Sequence, residues 1–384
     1  MSGKKICIVG PSKSFLSGIS YYTIRLANAL SDSNVVSVIC INKMLPKFLF
    51  PGRKRIGKEL TSLEYLPQID VFDGMDYDSI RSWYRAIDFL KSKEPDIIIM
   101  QWWTSSVAHL HIILKIFNDI GLKAKIILEM HEVSDPIEMQ NFFLNKYSHI
   151  TGYILQGNAD LMIVHSESDK NLVAERYEIQ KELIEVVPHG LYDHYPMIEK
   201  GYARKKLDFE DEFLILYFGL IRPYKGVPYL IDAFDALPLE IISKSKLLIV
   251  GEMWEGYDEV SNAIKESKNN KKIISKFEYV SDDEVPLYFS ACDVVVLPYT
   301  RASQSGVAHI AMCFGKPIVV SEVGGLKESM SIYSGTFFIP PKDPEKIANT
   351  IVNIYNQKED RDYQAPDRGW DKIGQRYNGL INSL

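Results

Sequence analysis

The sequence predicts an α/β protein built from two doubly wound, Rossmann-like domains, and three observations predict it. Two segments repeat one plan of apolar strand, Gly/Pro loop and amphipathic helix: "KKICIVGPSKSFLSGISYYTIRLANAL" near the start and "FLILYFGLIRPYKGVPYLIDAFDAL" from residue 213. Each half continues with short unbroken apolar runs spaced by helical stretches, which is how strands covered on both faces of a parallel sheet read. A length of 384 residues also exceeds what a single core usually serves.

In the first half the opening helix gathers Ile19, Tyr22, Leu26, Ala29 and Leu30 on one face, and the runs "VVSVICI", "DIIIM", "KIILEM" and "LMIVHS" supply strands. The polar stretch from Tyr192 to Asp211 separates the halves, which places the domains at 1–195 and 196–366. In the second half Leu230, Phe234 and Leu237 share the face of the first helix, and "KLLIVG", "DVVVLP" and "PIVV" are the later strands. Within residues 301–320, Val307, Ile310, Ala311 and Phe314 fall at i, i+3, i+4 and i+7, so a helix starts near Ser305-Gly306 and ends at Gly315 and Pro317. The closing stretch, about 367–384, reads as a terminal helix that joins the first domain.

A net charge of −6 argues against general nucleic-acid binding. Cys7, Cys40, Cys292 and Cys313 lie far apart without Cys-x-x-Cys spacing, three of them in apolar strand or helix patterns, and read as reduced core thiols of a cytoplasmic protein. No apolar run approaches the roughly 20 residues of a spanning helix, and the run after Lys4-Lys5 is too short for a signal peptide. The expectation is a cytoplasmic chain, free or held at the inner face of the cell membrane.

Ligands of open α/β sheets bind beyond the carboxyl ends of the strands. There, in "GLIRPYKGVPYL", Arg222 and Lys225 follow a strand, Gly226 relieves crowding and Pro228 suits a first helical turn. The helix opening at Ser305-Gly306 offers unpaired N–H groups and the positive end of its dipole. Together these residues describe a site for a diphosphate.

The ordered set "VVPHG", "LYFGLIRPYKGVPYLIDAF", "LLIVG", "YVSDDEVPLYFSACDVVVLPY", "SQSGVAHIAMCFGKPIVVSEVGG" and the closing "WDKI" with Tyr377 resembles the retaining glycosyltransferases of family 4, of the subgroup that writes Gln-Ser-Gly in place of a Glu-x7-Glu motif. The resemblance implies a GT-B fold, two Rossmann-like domains facing a central cleft, and a nucleoside-diphosphate sugar held by the C-terminal one. It implies that Arg222 and Lys225 hold the diphosphate with help from the amides of Ser305, Gly306 and Val307, that Tyr279-Val280 flanks the nucleobase, and that Gly219 and Gln304 belong to the donor site. It implies that Gly18 lies in a loop closing over the donor and that His131 lies beside the transferred sugar. His165 and His189-Gly190 are expected to be structural.

No Asp-x-Asp stands in the second half, so no metal or other cofactor is expected. The sequence departs from many relatives in one respect. Where they carry two Glu residues eight positions apart, Ala302 and Ile310 stand. Either Gln304 and Ser303 substitute, or the chain is a non-catalytic sugar-nucleotide-binding subunit. Glu322 reads equally as a donor contact or a surface carboxylate.

For the acceptor, "NKMLPKFLFPGRKRIGK" sets Phe48 and Phe50 among cations that include Arg53 and Lys54. Such a loop suits an anionic membrane or a lipid-phosphate acceptor, and equally a loop folded back on the core. Trp102 reads either as a platform for a sugar ring or as core.

Overall fold

The computed structural model describes residues 3–13, 17–44, 63–133, 142–157, 159–253, 257–357 and 363–384. The acceptor candidates Phe48, Phe50, Arg53 and Lys54 lie outside the described residues. The chain divides into two units, residues 1–190 with 368–384, and residues 191–367.

In the first unit the strands are β1 (Lys5–Pro11), β2 (Val35–Lys43), β3 (Asp70–Asp76), β4 (Ile97–Trp102), β5 (Lys125–Met130), β6 (Leu161–Val164) and β7 (Ile184–Val186). They form one sheet in the order β3-β2-β1-β4-β5-β6-β7, and every pairing is parallel. Helices α1 (Ser17–Ser31), α2 (Ile80–Lys93), α3 (Ala108–Phe117), α4 (Phe142–Gln156) and α5 (Glu167–Tyr177) connect them. The order reverses between β1 and β4, and a ligand crevice opens at such a point beyond the strand ends. Ile97 to Trp102 is buried throughout because helices cover both faces of this central strand.

The second unit opens with helix α6 (Lys200–Lys206) and forms a sheet in the order β10-β9-β8-β11-β12-β13. Its strands are β8 (Phe213–Phe218), β9 (Ser245–Val250), β10 (Ile273–Lys276), β11 (Val294–Leu297), β12 (Ile318–Ser321) and β13 (Thr336–Ile339). The helices between them are α7 (Val227–Asp235), α8 (Leu239–Ser243), α9 (Glu259–Glu266), α10 (Val285–Ala291), α11 (Gly306–Cys313), α12 (Gly324–Met330) and α13 (Pro344–Asn356). The reversal here falls between β8 and β11, whose following loops carry Arg222, Lys225 and Ser305.

The chain ends in α14 (Trp370–Ser383), which packs on α1 of the first unit. Gly374 permits this approach, since a Cβ there would sit 3.1 Å from the Cβ and carbonyl oxygen of Ala29. Among the described residues no helix is long and apolar enough to cross a membrane.

Candidate functional site

In the second unit, glycines bring the loops beyond β8, β9 and β11 together. Gly219 has φ +111° and would place a Cβ 3.0 Å from Cγ2 of Val307, in the first turn of α11. Gly226, at φ +66°, would drive a Cβ to 2.0 Å from the carbonyl oxygen of Pro298, so side-chain-bearing residues are excluded by both conformation and space. Thr300 N–H donates to the carbonyl of Tyr224 at 2.8 Å, tying the two loops together.

Within that frame the Lys225 ammonium lies 3.8 Å from the centroid of the Tyr299 ring. The Tyr299 hydroxyl lies 3.3 Å from Oγ of Ser305, and Ser305 caps α11 by accepting from the Ala308 N–H at 3.3 Å. The cation, the ring and the helix start are thus one contiguous arrangement. The first main-chain bond of α11 runs from His309 N–H to the Ser305 carbonyl, so the N–H groups of Gly306 and Val307 precede the helical ladder. Gly306 is bare where a Cβ would come within 2.9 Å of the Tyr192 hydroxyl. Arg222 stands at the N-cap of the short 3-10 turn Pro223–Lys225 in an extended conformation. Both amide atoms of Gln304 are buried with no hydrogen-bond partner among the described residues, an arrangement that a polar ligand would satisfy.

Val280 is buried and Tyr279 half-buried in the segment before α10. Asp282 there accepts from the Tyr195 hydroxyl at 3.0 Å. Glu322 pairs with Lys327 at 2.7 Å on the surface.

In the first unit the strand ends carry a buried polar network. Gln101 on β4 and Glu129 on β5 are register neighbours, both 0% exposed. Gln101 Nε2 donates to Glu129 Oε2 at 3.0 Å, and Thr23 on α1 donates to Gln101 Oε1 at 2.5 Å. Gly10 makes room, since its Cβ would fall 2.3 Å from that same oxygen. From α14 the Tyr377 hydroxyl donates to Glu129 Oε1, and the Tyr22 hydroxyl lies 3.1 Å from it.

His131 follows β5 with its backbone N–H on the Trp102 carbonyl at 2.8 Å. Its Nδ1 lies 3.1 Å from His165 Nε2, and its Nε2 lies 3.8 Å from Glu129 Oε2. The Tyr22 ring meets His131, His165, His189 and Trp370 at centroid distances of 4.6, 5.3, 4.7 and 5.0 Å. Burial, with the neighbouring His165 second, holds His131 well below the usual imidazole range, so it is neutral at pH 7. Glu129, His131 and His165 bring ligand-type atoms within 4.8 Å of one another. Both Glu129 oxygens already receive protein donors and the two histidines bond each other, so this donor set is engaged as a hydrogen-bond network.

Gly18 is exposed in the first turn of α1. Trp102, open between a sugar platform and core, is a core residue 2% exposed that ends β4 opposite Met130, and it lies in the hydrophobic cluster together with Trp103. Reading the sequence missed Glu129 and the partnership of His165 with His131. A lone Glu inside the otherwise apolar run "KIILEM" was the available signal, because a buried carboxylate needs partners.

The family model described as "Glycosyltransferase Family 4" matches residues 16–193, and that described as "Glycosyl transferases group 1" matches residues 200–366. Mannosylfructose-phosphate synthase of Agrobacterium fabrum is 26% identical over 298 residues, 71% of this chain. The match spans 64% of that relative, less than two thirds of its own length. The fold matches that of sucrose-phosphate synthase from Thermosynechococcus elongatus, with TM-score 0.76, 17% identity, and 99% and 98% of the two chains covered. It also matches Anabaena HepE in complex with UDP and glucose, with TM-score 0.73, 18% identity, and 99% and 100% covered. The two Rossmann-like units are those of GT-B structures.

Proposed function

Given that the chain belongs to the glycosyltransferases of group 1 and family 4, we propose that it transfers a hexose from a UDP- or GDP-linked sugar to a glycan or lipid-linked acceptor, with retention and without a metal ion. The observation that carries this reading is the contiguity of Lys225, Tyr299 and the Ser305 cap of α11, beside the loop that holds Arg222. Such a site suits two phosphates: a helix start receives anionic oxygens, an ammonium supplies a point charge and a guanidinium a bidentate fork. Gly219, Gln304, Gly306 and Val307 complete the diphosphate side, with Tyr279 and Val280 toward the base.

In the transfer, the bond between the anomeric carbon and the diphosphate oxygen breaks, and its electron pair leaves with the nucleoside diphosphate. The acceptor hydroxyl bonds to the same face of that carbon, and its proton passes to the leaving phosphate oxygen. Arg222, Lys225 and the α11 terminus stabilise the charge that grows on the leaving group, the task a metal ion performs elsewhere. In this reading His131 lies beside the transferred sugar, and Gly18 belongs to the loop over the donor.

The reading of a lipid-linked acceptor at a membrane face gains support from α4. Phe143, Tyr147, Ile150 and Ile154, spaced i, i+4, i+7 and i+11, are exposed, while Ser148, Thr151 and Gly152 are buried. The helix thus presents apolar side chains outward, while Leu155 joins the core on its inner side. Its one charged residue is the exposed Lys146, which suits an anionic interface.

The test is turnover of UDP-glucose and GDP-mannose by the purified chain in the presence of chelator, with Arg222→Ala as control. Sugar release or transfer by the wild type, lost in the variant, supports the reading. Binding without turnover by the chain alone favours the second reading, a non-catalytic sugar-nucleotide-binding subunit, for which Ala302 and Ile310 in place of carboxylates speak.

A further inference from the structure

We propose that His165 is a positioning residue: it fixes His131 as the Nδ1–H tautomer, so that a bare Nε2 accepts a hydroxyl hydrogen from the sugar. The inference rests on the glycosyl-transfer reading for the identity of the sugar, while the tautomer rests on the hydrogen bonds around a neutral His165.

The chain of bonds begins at the backbone. His165 Nδ1 lies 2.9 Å from the carbonyl oxygen of Val187. A carbonyl only accepts, so this nitrogen carries a hydrogen. In the neutral ring His165 Nε2 is then an acceptor, and it lies 3.1 Å from His131 Nδ1. His131 therefore donates from Nδ1 and keeps a lone pair on Nε2. That Nε2 is buried with no hydrogen-bond partner among the described residues.

His165 and His131 have side chains 1% and 6% exposed, and the rings of Tyr22 and His189 pack on His165 at centroid distances of 5.3 and 5.6 Å. Among the described residues Glu129 is the carboxylate paired with them, 3.8 Å from His131 Nε2 and 4.0 Å from His165 Nε2, and its oxygens already receive Tyr377 and Gln101. Two acceptors, His131 Nε2 and Glu129 Oε2, thus stand side by side. A group that brings a hydrogen fits this place, and one that brings only a lone pair is repelled. Sugar hydroxyls supply such a hydrogen.

The test is long-range 15N–1H correlation spectroscopy of the full chain labelled in its histidines, at neutral pH, with His131→Gln to assign the signals. The expected result is a hydrogen on Nδ1 and none on Nε2 of His131, with His165 neutral and carrying its hydrogen on Nδ1. Adding saturating UDP-glucose or GDP-mannose, whichever stabilises the chain, shifts the His131 Nε2 resonance toward that of a hydrogen-bond acceptor without protonating it.

His165→Gln, whose amide oxygen still accepts from Nδ1–H, keeps the tautomer and most of kcat. His165→Leu populates both tautomers and lowers kcat roughly tenfold, the worth of one hydrogen bond, with KM for the donor little changed. An Nε2–H tautomer of His131 or a cationic His165 in the wild type overturns the tautomer assignment, even if the chain proves to turn over no sugar. A Nε2 resonance indifferent to a bound donor overturns the hydroxyl assignment.

Discussion

Tyr377 on the last helix donates its hydroxyl hydrogen to the buried carboxylate of Glu129 on β5, across 248 residues of chain. The bond ties the end of the chain to the strand end from which His131 projects. Trp370 at the head of the same helix packs edge-on against Tyr22 at 5.0 Å, so α14 braces the histidine cluster from two points.

Tyr377→Phe is expected to destabilise the first unit by about 1–3 kcal/mol, the cost of leaving a buried acceptor short of its donor. Tyr22→Phe removes a hydroxyl that stands 3.1 Å from that of Tyr377 and reaches the same carboxylate, so it should also destabilise the unit. Urea unfolding followed by tryptophan fluorescence measures both, since Trp83, Trp102, Trp103 and Trp370 belong to this unit. No cost for Tyr377→Phe would show that Glu129 does not depend on Tyr377.

Gly226→Ala should damage the anion-binding loops. The new methyl meets the Pro298 carbonyl at 2.0 Å, and the left-handed backbone adds strain of about 1–3 kcal/mol. Weaker binding of nucleoside diphosphate together with a lower Tm is expected. Gly379→Ala, in α14 with nothing within 4 Å of its Cβ, should leave both unchanged.

His111 is buried on α3 with neither ring nitrogen hydrogen-bonded among the described residues, and burial pushes it down to about 3. The sign follows from proton counts: between about pH 6.5 and 3 the unfolded chain binds a proton at this residue that the folded chain does not, so stability falls as pH falls. From pH 6.5 to 5 this residue alone costs about 2 kcal/mol. His131 and His109 are lowered too and act in the same direction. His111→Leu should flatten this part of the pH profile of urea stability, and an unchanged slope would refute the assignment.

The outward face of α4 should govern attachment to lipid. The double variant Ile150→Asn, Ile154→Asn is expected to lose co-sedimentation with vesicles of anionic phospholipid while keeping its Tm, because these side chains are exposed. A wild type that ignores such vesicles would remove the support that α4 gives to a lipid-linked acceptor.

What was legible in the sequence was local. Unbroken apolar runs gave the strands because both faces of each sheet are covered, and Ser305 with the spacing of Val307, Ile310 and Ala311 gave the start of α11, which ends at Cys313, two residues before Gly315. Arg222 and Lys225 could be placed after a strand, and the structure sets Lys225 against Tyr299 next to Ser305. The network around Glu129 was not legible, because its partners Thr23, Gln101 and Tyr377 come from three distant segments and no spacing rule relates them. Trp102 stood open between sugar platform and core for a similar reason: the pattern does not say whether the last residue of β4 is still covered.

The most direct test of the central claim is a thermal-shift titration of the chain with UDP, GDP, ADP and dTDP in the presence of chelator, on the wild type and on Arg222→Ala/Lys225→Ala. The account predicts that UDP or GDP, at about 100 times its Kd, adds roughly 2.7 kcal/mol to the wild type, a shift of a few degrees, and nothing to the double variant. No shift with any nucleotide, or an equal shift in the double variant, would contradict a diphosphate site at Arg222, Lys225 and the start of α11.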